Sequence, residues 1–257
     1  MSDFVHPDSV VRQIWGGADA VLLIFAGSAA EFALSKAVDW LFFTGALPAD
    51  PVGRLFSTAR FAREIVFGSE EHARRTLSRI NAIHGAVERA RGDHIPAWAH
   101  RDVLYMLIDY SERAHALLHH PLAPGEQREL YAVFRRVGTA LEIPELPDTY
   151  DEWCADRRRH LERDLARSAH SDRLLAQYQR HLGAWRHQLL RQVQSGLVPP
   201  PVRELLGLRP TPWFGRAVRA YRLCTRLGLR PLFHRALIPA AYRAEVTSLG
   251  QPVGVTV

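Results

Sequence analysis

Apolar residues recur at i, i+3, i+4 and i+7 along almost the whole of this chain, whereas strict inside–outside alternation is nearly absent. A stripe of that period forms one face only on a cylinder of about 3.6 residues per turn, so strands have almost no place in the fold. An all-α, multi-helix bundle is expected, with only the tail QPVGVTV (251–257) read as extended. Helices are expected over 18–46 with one or two breaks, 51–67, 69–91, 101–120, 124–141, 149–168, 170–195 and, with interruptions, 213–243. Proline and glycine clusters punctuate them: PAD, GDHIP, HPLAPG, IPELPDT and LVPPPVRELLGLRPTP. No internal repeat or compositional break divides the 257 residues, so one domain over 1–257 is expected, with 1–8 and 246–257 as flexible tails.

Several classes of function lose ground. Thirty-three basic against 27 acidic residues give a formal charge of +6, which permits nucleic acid without indicating it. No basic run interleaved with aromatics, zinc finger or RNA-binding signature is present, so no nucleic-acid partner is expected. GxGxxG, the P-loop, GxSxG and HExxH are likewise missing. Cys154 and Cys224 match no metal or disulfide spacing and suit a reducing cytoplasm.

Asp3, His6, Asp8, Arg12 and Asp19 argue against a signal-peptide core, and Glu31, Lys36 and Asp39 interrupt the apolar stretch 20–46 short of the roughly 20 residues a membrane span needs. The C-terminal segment 213–243 mixes Trp213, Phe214, Tyr221, Phe233 and Tyr242 with recurring arginines. Such a mixture suits a solvated helix over a core, or peripheral contact with a membrane.

Two neighbouring helices hold the residues that point to chemistry. Asp50 is a good N-cap with Pro51 at the first helical position, and the helix that follows stacks Arg54, Thr58, Phe61 and Ile65 on one face beside Leu55, Ala59, Ala62 and Val66. Arg54 is thus placed partly inside, where a permanent charge needs an acidic partner, a helix C-terminus or an anionic ligand. The next helix starts at a Ser69 cap, ends at Gly92, and sets His84 in a stripe with Ala73, Leu77, Ile80 and Val87. An inward imidazole of this kind is either a hydrogen-bonded core residue or a metal ligand. A single hinge, FGS, joins the two helices and is expected to bring Arg54, Thr58 and His84 towards one cavity.

A rival cluster lies in RDVLYMLIDYSERAHALLHH, where Asp109, Glu112, His115 and His119 share a helical face. Glu112 and His115 form the Glu-x-x-His element of di-iron bundles, although the second copy such a site requires is missing. The opposite face, with Val103, Met106, Leu107, Tyr110, Ala114 and Leu117, is the apolar one, so this cluster is expected to face solvent or a polar cleft.

Taken together, SVVRQIWG (9–16), DPVGRLFSTARF (50–61), IVFGSEEHARR (65–75) and INAIHGAVERARG (80–92) resemble the family that unites latex clearing protein, a rubber oxygenase, with the MpaB-type oxygenases. The resemblance continues through RDVLYMLIDYSERAH, HPLAPGEQRELYAVFRRVG and LIPAAYR. It implies an all-α fold of the rubber oxygenase type holding haem b, with His84 as iron ligand and Arg54 and Thr58 on the distal side. Ser57 is expected to line the same cofactor pocket; it stands where rubber oxygenase has a lysine that reaches the iron, which a serine does not do equally well. The implied activity is oxidation of a hydrophobic, isoprenoid or otherwise unsaturated molecule by dioxygen, with residues 20–46 lining the substrate channel. The alternatives are a non-haem metal oxygenase using Glu112 and His115, and a non-catalytic binder of lipid or isoprenoid at a membrane surface.

Overall fold

The structure, a computed structural model, describes residues 2–43 and 49–249. In chain order its helices are α1 (Val10–Gly16), α2 (Ala18–Phe32), α3 (Val38–Phe43), α4 (Pro51–Phe67), α5 (Glu70–Arg91), α6 (Ala97–Leu118), α7 (Pro124–Ala140), α8 (Tyr150–Arg163), α9 (Ala169–Leu182), α10 (Ala184–Leu197), α11 (Pro200–Leu205), α12 (Phe214–Arg226), α13 (Arg230–Leu237) and α14 (Arg243–Leu249). A 3-10 turn at Ala240–Tyr242 precedes the last. Among the described residues there is no strand, only isolated bridges between Asp3 and Ser69 and between Ser35 and Leu165, so the fold is all-α.

The caps act where the sequence places them. Asp50 Oδ1 accepts from Gly53 N at 2.8 Å, Ser69 Oγ from His72 N at 3.3 Å, and Gly92 closes α5 at φ 73°. Each such cap contributes about 1 kcal/mol and fixes where the following side chains point.

The core forms where α2 lies against α6. Gly27 makes the close approach possible, because a Cβ there would stand 2.2 Å from the Tyr110 ring. Trp15 of α1 is fully buried beside this contact and donates its indole N–H to Ser111 Oγ at 3.2 Å. Deeper along α2, Glu31 accepts both arms of the Arg157 guanidinium, at 2.6 and 2.7 Å, and the Tyr110 hydroxyl at 2.9 Å. Arg157 also reaches Asp109 Oδ2 at 3.0 Å, so one buried network ties α2, α6 and α8. The charge that interrupts the apolar stretch is therefore a crosslink within the core.

Among the described residues no single helix is long and apolar enough to cross a membrane; α1 and α2 pass together on length and composition, and they meet at an angle of 86°. Val11, Trp15, Val21 and Ile24 of that pair are each fully enclosed by the rest of the protein.

Four expectations are corrected. The stretch 170–195 is two helices, because Gly183 adopts φ 77°, ψ 162° between α9 and α10, and Trp185 at the start of α10 is 52% exposed. The helix expected from 101 starts at Ala97. Residues 2–8 are no loose tail: Phe4 and Val5 are buried, and Phe4 N donates to Gly68 O at 3.1 Å. At the other end Val246 and Leu249 are buried in or beside α14, while the rest of the expected tail, including the extended reading of 251–257, lies outside the described residues.

Candidate functional site

α4 and α5 meet at Gly68 and Ser69 and pack on one another, so the two faces read from the sequence converge. Between them, α2, α3, α6 and α7 lies a cavity of about 330 Å³. Arg54, Thr58 and His84 all line it, with Leu55, Phe61, Ala62, Ile65 and Val66 from α4 and Ile80, Ile83 and Val87 from α5. Phe25, Ser28, Phe32, Ser35, Ala37 and Trp40 line it from the N-terminal part. The Arg91 guanidinium lies 3.9 Å from the ring centre of Trp40 and pairs with Asp39 at 2.7 Å.

His84 is half-buried, and neither of its ring nitrogens has a hydrogen-bond partner among the described residues. It is therefore not a hydrogen-bonded core histidine. Its ring centre stands 4.9 Å from that of His100 on α6, at an interplanar angle of 51°, and His100 lines the same cavity without a hydrogen-bond partner of its own among the described residues. Burial, reinforced by His100 and Arg54 and opposed by Glu88, draws the pKa of His84 down to about 4. Burial lowers that of His100 too. Both rings are thus neutral at pH 7, with lone pairs free for a Lewis acid.

His100 falls just outside the helix expected over 101–120, which in the structure begins at Ala97 and includes it. The signal was present, for His100, Val103 and Leu107 recur at helical spacing on one wall of the cavity.

Two expected positions are corrected. Arg54 lines the cavity but is exposed rather than partly inside, and its guanidinium makes no hydrogen bond or ion pair among the described residues. Ser57 does not line the cavity; its hydroxyl turns back to donate to Arg54 O at 2.8 Å. Thr58 donates to the same carbonyl at 3.1 Å, which leaves its oxygen lone pairs as acceptors.

The rival cluster does not form the polar face expected of it, since Asp109 and His115 are buried and Glu112 half-buried, and it does not converge. Asp109 belongs to the Arg157 network, Glu112 accepts from Tyr150 Oη at 3.1 Å, and His115 Nδ1 lies 2.8 Å from His120 O. His119 is exposed at the end of α6. The expected polar face fails because α6 runs through the centre of the protein, and both its sides meet neighbours.

Among the described residues a different trio, Asp102, His160 and Asp164, places three possible ligand atoms within 4.8 Å of one another. His160 Nδ1 contacts Asp102 Oδ1 and lies 2.9 Å from Asp164 Oδ2, while Arg163 forks onto both oxygens of Asp164 at 2.7 Å. Burial raises the pKa of Asp102, whose Oδ2 has no partner. The trio can hold a cation, with Arg163 already neutralising one of its carboxylates. His160 and Asp164 stand at i, i+4, but Asp102 lies 58 residues from His160, so spacing alone does not reveal the trio.

A second apolar cavity, of about 230 Å³, adjoins the first and shares Phe25, Leu55 and Tyr178 with it. Leu189, Val193, Leu237 and Ile238 form part of its outer wall.

Residues 15–228 match the family described as ER-bound oxygenase mpaB/B'/Rubber oxygenase, catalytic domain. No curated protein and no solved structure matches the chain.

Proposed function

The chain belongs to this family of MpaB-type and rubber oxygenase catalytic domains, and from that premise we propose that it is a haem-b-dependent oxygenase acting on a hydrophobic, isoprenoid or otherwise unsaturated molecule. One observation carries the reading: His84, a neutral imidazole without a hydrogen-bond partner among the described residues, opens onto an apolar cavity beside Arg54 and Thr58. A porphyrin is a large apolar disc that needs such walls and one such nitrogen, so the residues present fit the group. Haem b, when bound, supplies an iron centre that activates dioxygen.

The chain's own groups supply the rest. His84 holds the iron, its nitrogen kept unprotonated by burial. Arg54, at the rim, offers a fixed positive charge and up to five donors to any negative charge that develops on oxygen. Thr58 offers an acceptor to a proton-bearing group of the substrate or of an oxygen species. The apolar walls exclude water and take up a hydrophobic substrate, and the adjoining cavity beyond Phe25, Leu55 and Tyr178 has room for an extended apolar tail.

The test is the absorption spectrum of the purified protein after haem loading. An intense band near about 400 nm with one haem per chain is expected, and His84→Ala is expected to lose it while keeping its helical circular dichroism. A wild-type protein that takes up no haem, or a His84→Ala variant with an unchanged band, overturns the assignment.

A further inference from the structure

Between Leu205 and Ala244 the chain carries eight arginines and no aspartate, glutamate or lysine. This segment contains α12 and α13, neither of which contributes a buried residue. The outward face of α12 carries Arg216, Arg219, Ala220, Leu223, Arg226 and then Leu227, all exposed, at the i, i+3, i+4, i+7 spacing of a single stripe. Leu223, Leu227 and Leu232 are 58, 65 and 63% exposed. Gly228, at φ 78°, turns the chain sharply between the two helices, so exposed leucines cluster around one corner with arginines beside them.

The inner side of this hairpin is held firmly. Arg222 donates to the carbonyls of Ala116 and Leu117 at the end of α6, at 3.0 and 2.9 Å. Asp19 of α2 takes His234 at 2.5 Å and Arg230 at 3.0 Å. The leucines therefore face outward on a fixed support, and not because the segment has come loose. Isolated exposed leucines need no explanation, but a cluster of them within a purely cationic segment does.

We propose that the α12–α13 hairpin docks on an anionic lipid bilayer, with its leucines in the interfacial layer and its arginines on the phosphate headgroups. Arginine stems can lie along apolar surface while their heads reach phosphate, and each cation near an anionic leaflet adds to the attraction. A nucleic acid would use the arginines but leave the leucines facing water, so the apolar half of the surface selects lipid. The segment just beyond the hairpin supplies Leu237 and Ile238 to the second cavity, which lets an apolar molecule pass between bilayer and protein without crossing bulk water. The proposal does not rest on the haem reading.

Co-sedimentation of the full chain with vesicles tests it. The protein is expected to pellet with phosphatidylcholine–phosphatidylglycerol vesicles and not with phosphatidylcholine alone. Leu227→Glu with Leu232→Glu is expected to weaken binding by about tenfold or more, and Arg219→Glu with Arg226→Glu likewise, with thermal unfolding unchanged in both. No pelleting with the anionic vesicles overturns the proposal. Binding that the leucine substitutions leave intact also overturns it, since the surface would then be a polyanion site such as a nucleic acid uses.

Discussion

The ring centres of His84 and His100 stand 4.9 Å apart across the wall of the larger cavity. Two imidazoles that clasp one iron from opposite faces, each with a metal–nitrogen distance of about 2 Å, need roughly 6 Å between their centres. As placed, the two rings would not both hold one iron, so a single histidine would carry it. His84→Ala is expected to abolish haem retention, whereas His100→Ala retains close to one haem per chain. The reverse pattern would move the ligand assignment to His100.

The fold and half of this site were legible because both are local. Caps at Asp50 and Ser69, the left-handed Gly92 and the stripe through His84 are decided within a few residues of themselves. The Glu31–Arg157–Asp109 network and the Asp102–His160–Asp164 trio are decided by packing between distant helices, which no periodicity encodes. Polarity misled in both directions: Asp109 and His115 read as a wet face yet are buried, whereas Val103 reads as core and is 39% exposed at the cavity.

Arg54 lines the larger cavity, and its guanidinium makes no hydrogen bond or ion pair among the described residues. In the haem-loaded ferric protein, Arg54→Ala is expected to weaken azide binding by about tenfold, the size of one charge-assisted hydrogen bond at a partly wet position. Haem content should not change. Ligand titration followed at the Soret band measures this, and an azide affinity equal to wild type would remove Arg54 from the distal pocket.

Arg157 is enclosed and neutralises two enclosed carboxylates, Glu31 and Asp109. Arg157→Met leaves Glu31 uncompensated, while Asp109 keeps Arg113 at 2.6 Å, and is expected to cost about 3–5 kcal/mol in urea unfolding. Adding Glu31→Leu removes the stranded charge and should recover much of that loss. A double variant no more stable than the single one would show that the network contributes packing that apolar side chains cannot replace.

Glu112 sets an expected pH dependence. Burial, helped by Asp109 and opposed by the Tyr150 hydroxyl and Arg113, pushes its pKa up to about 7 from an ordinary 4.5, and its Oε1 lies buried without a partner. The folded state therefore holds this proton where the unfolded chain has released it. Between pH 4.5 and 7 the native protein binds more protons, so the group's contribution is fully present below 4.5 and is lost as the pH rises through 7. Thermal unfolding of wild type should fall as pH increases across that window. Glu112→Gln, which stays neutral and can still meet Tyr150, should flatten this part of the profile and be the more stable protein at pH values above 7. A Glu112→Gln profile parallel to wild type would mean that the carboxyl is already ionised in the fold, and that water reaches Oε1.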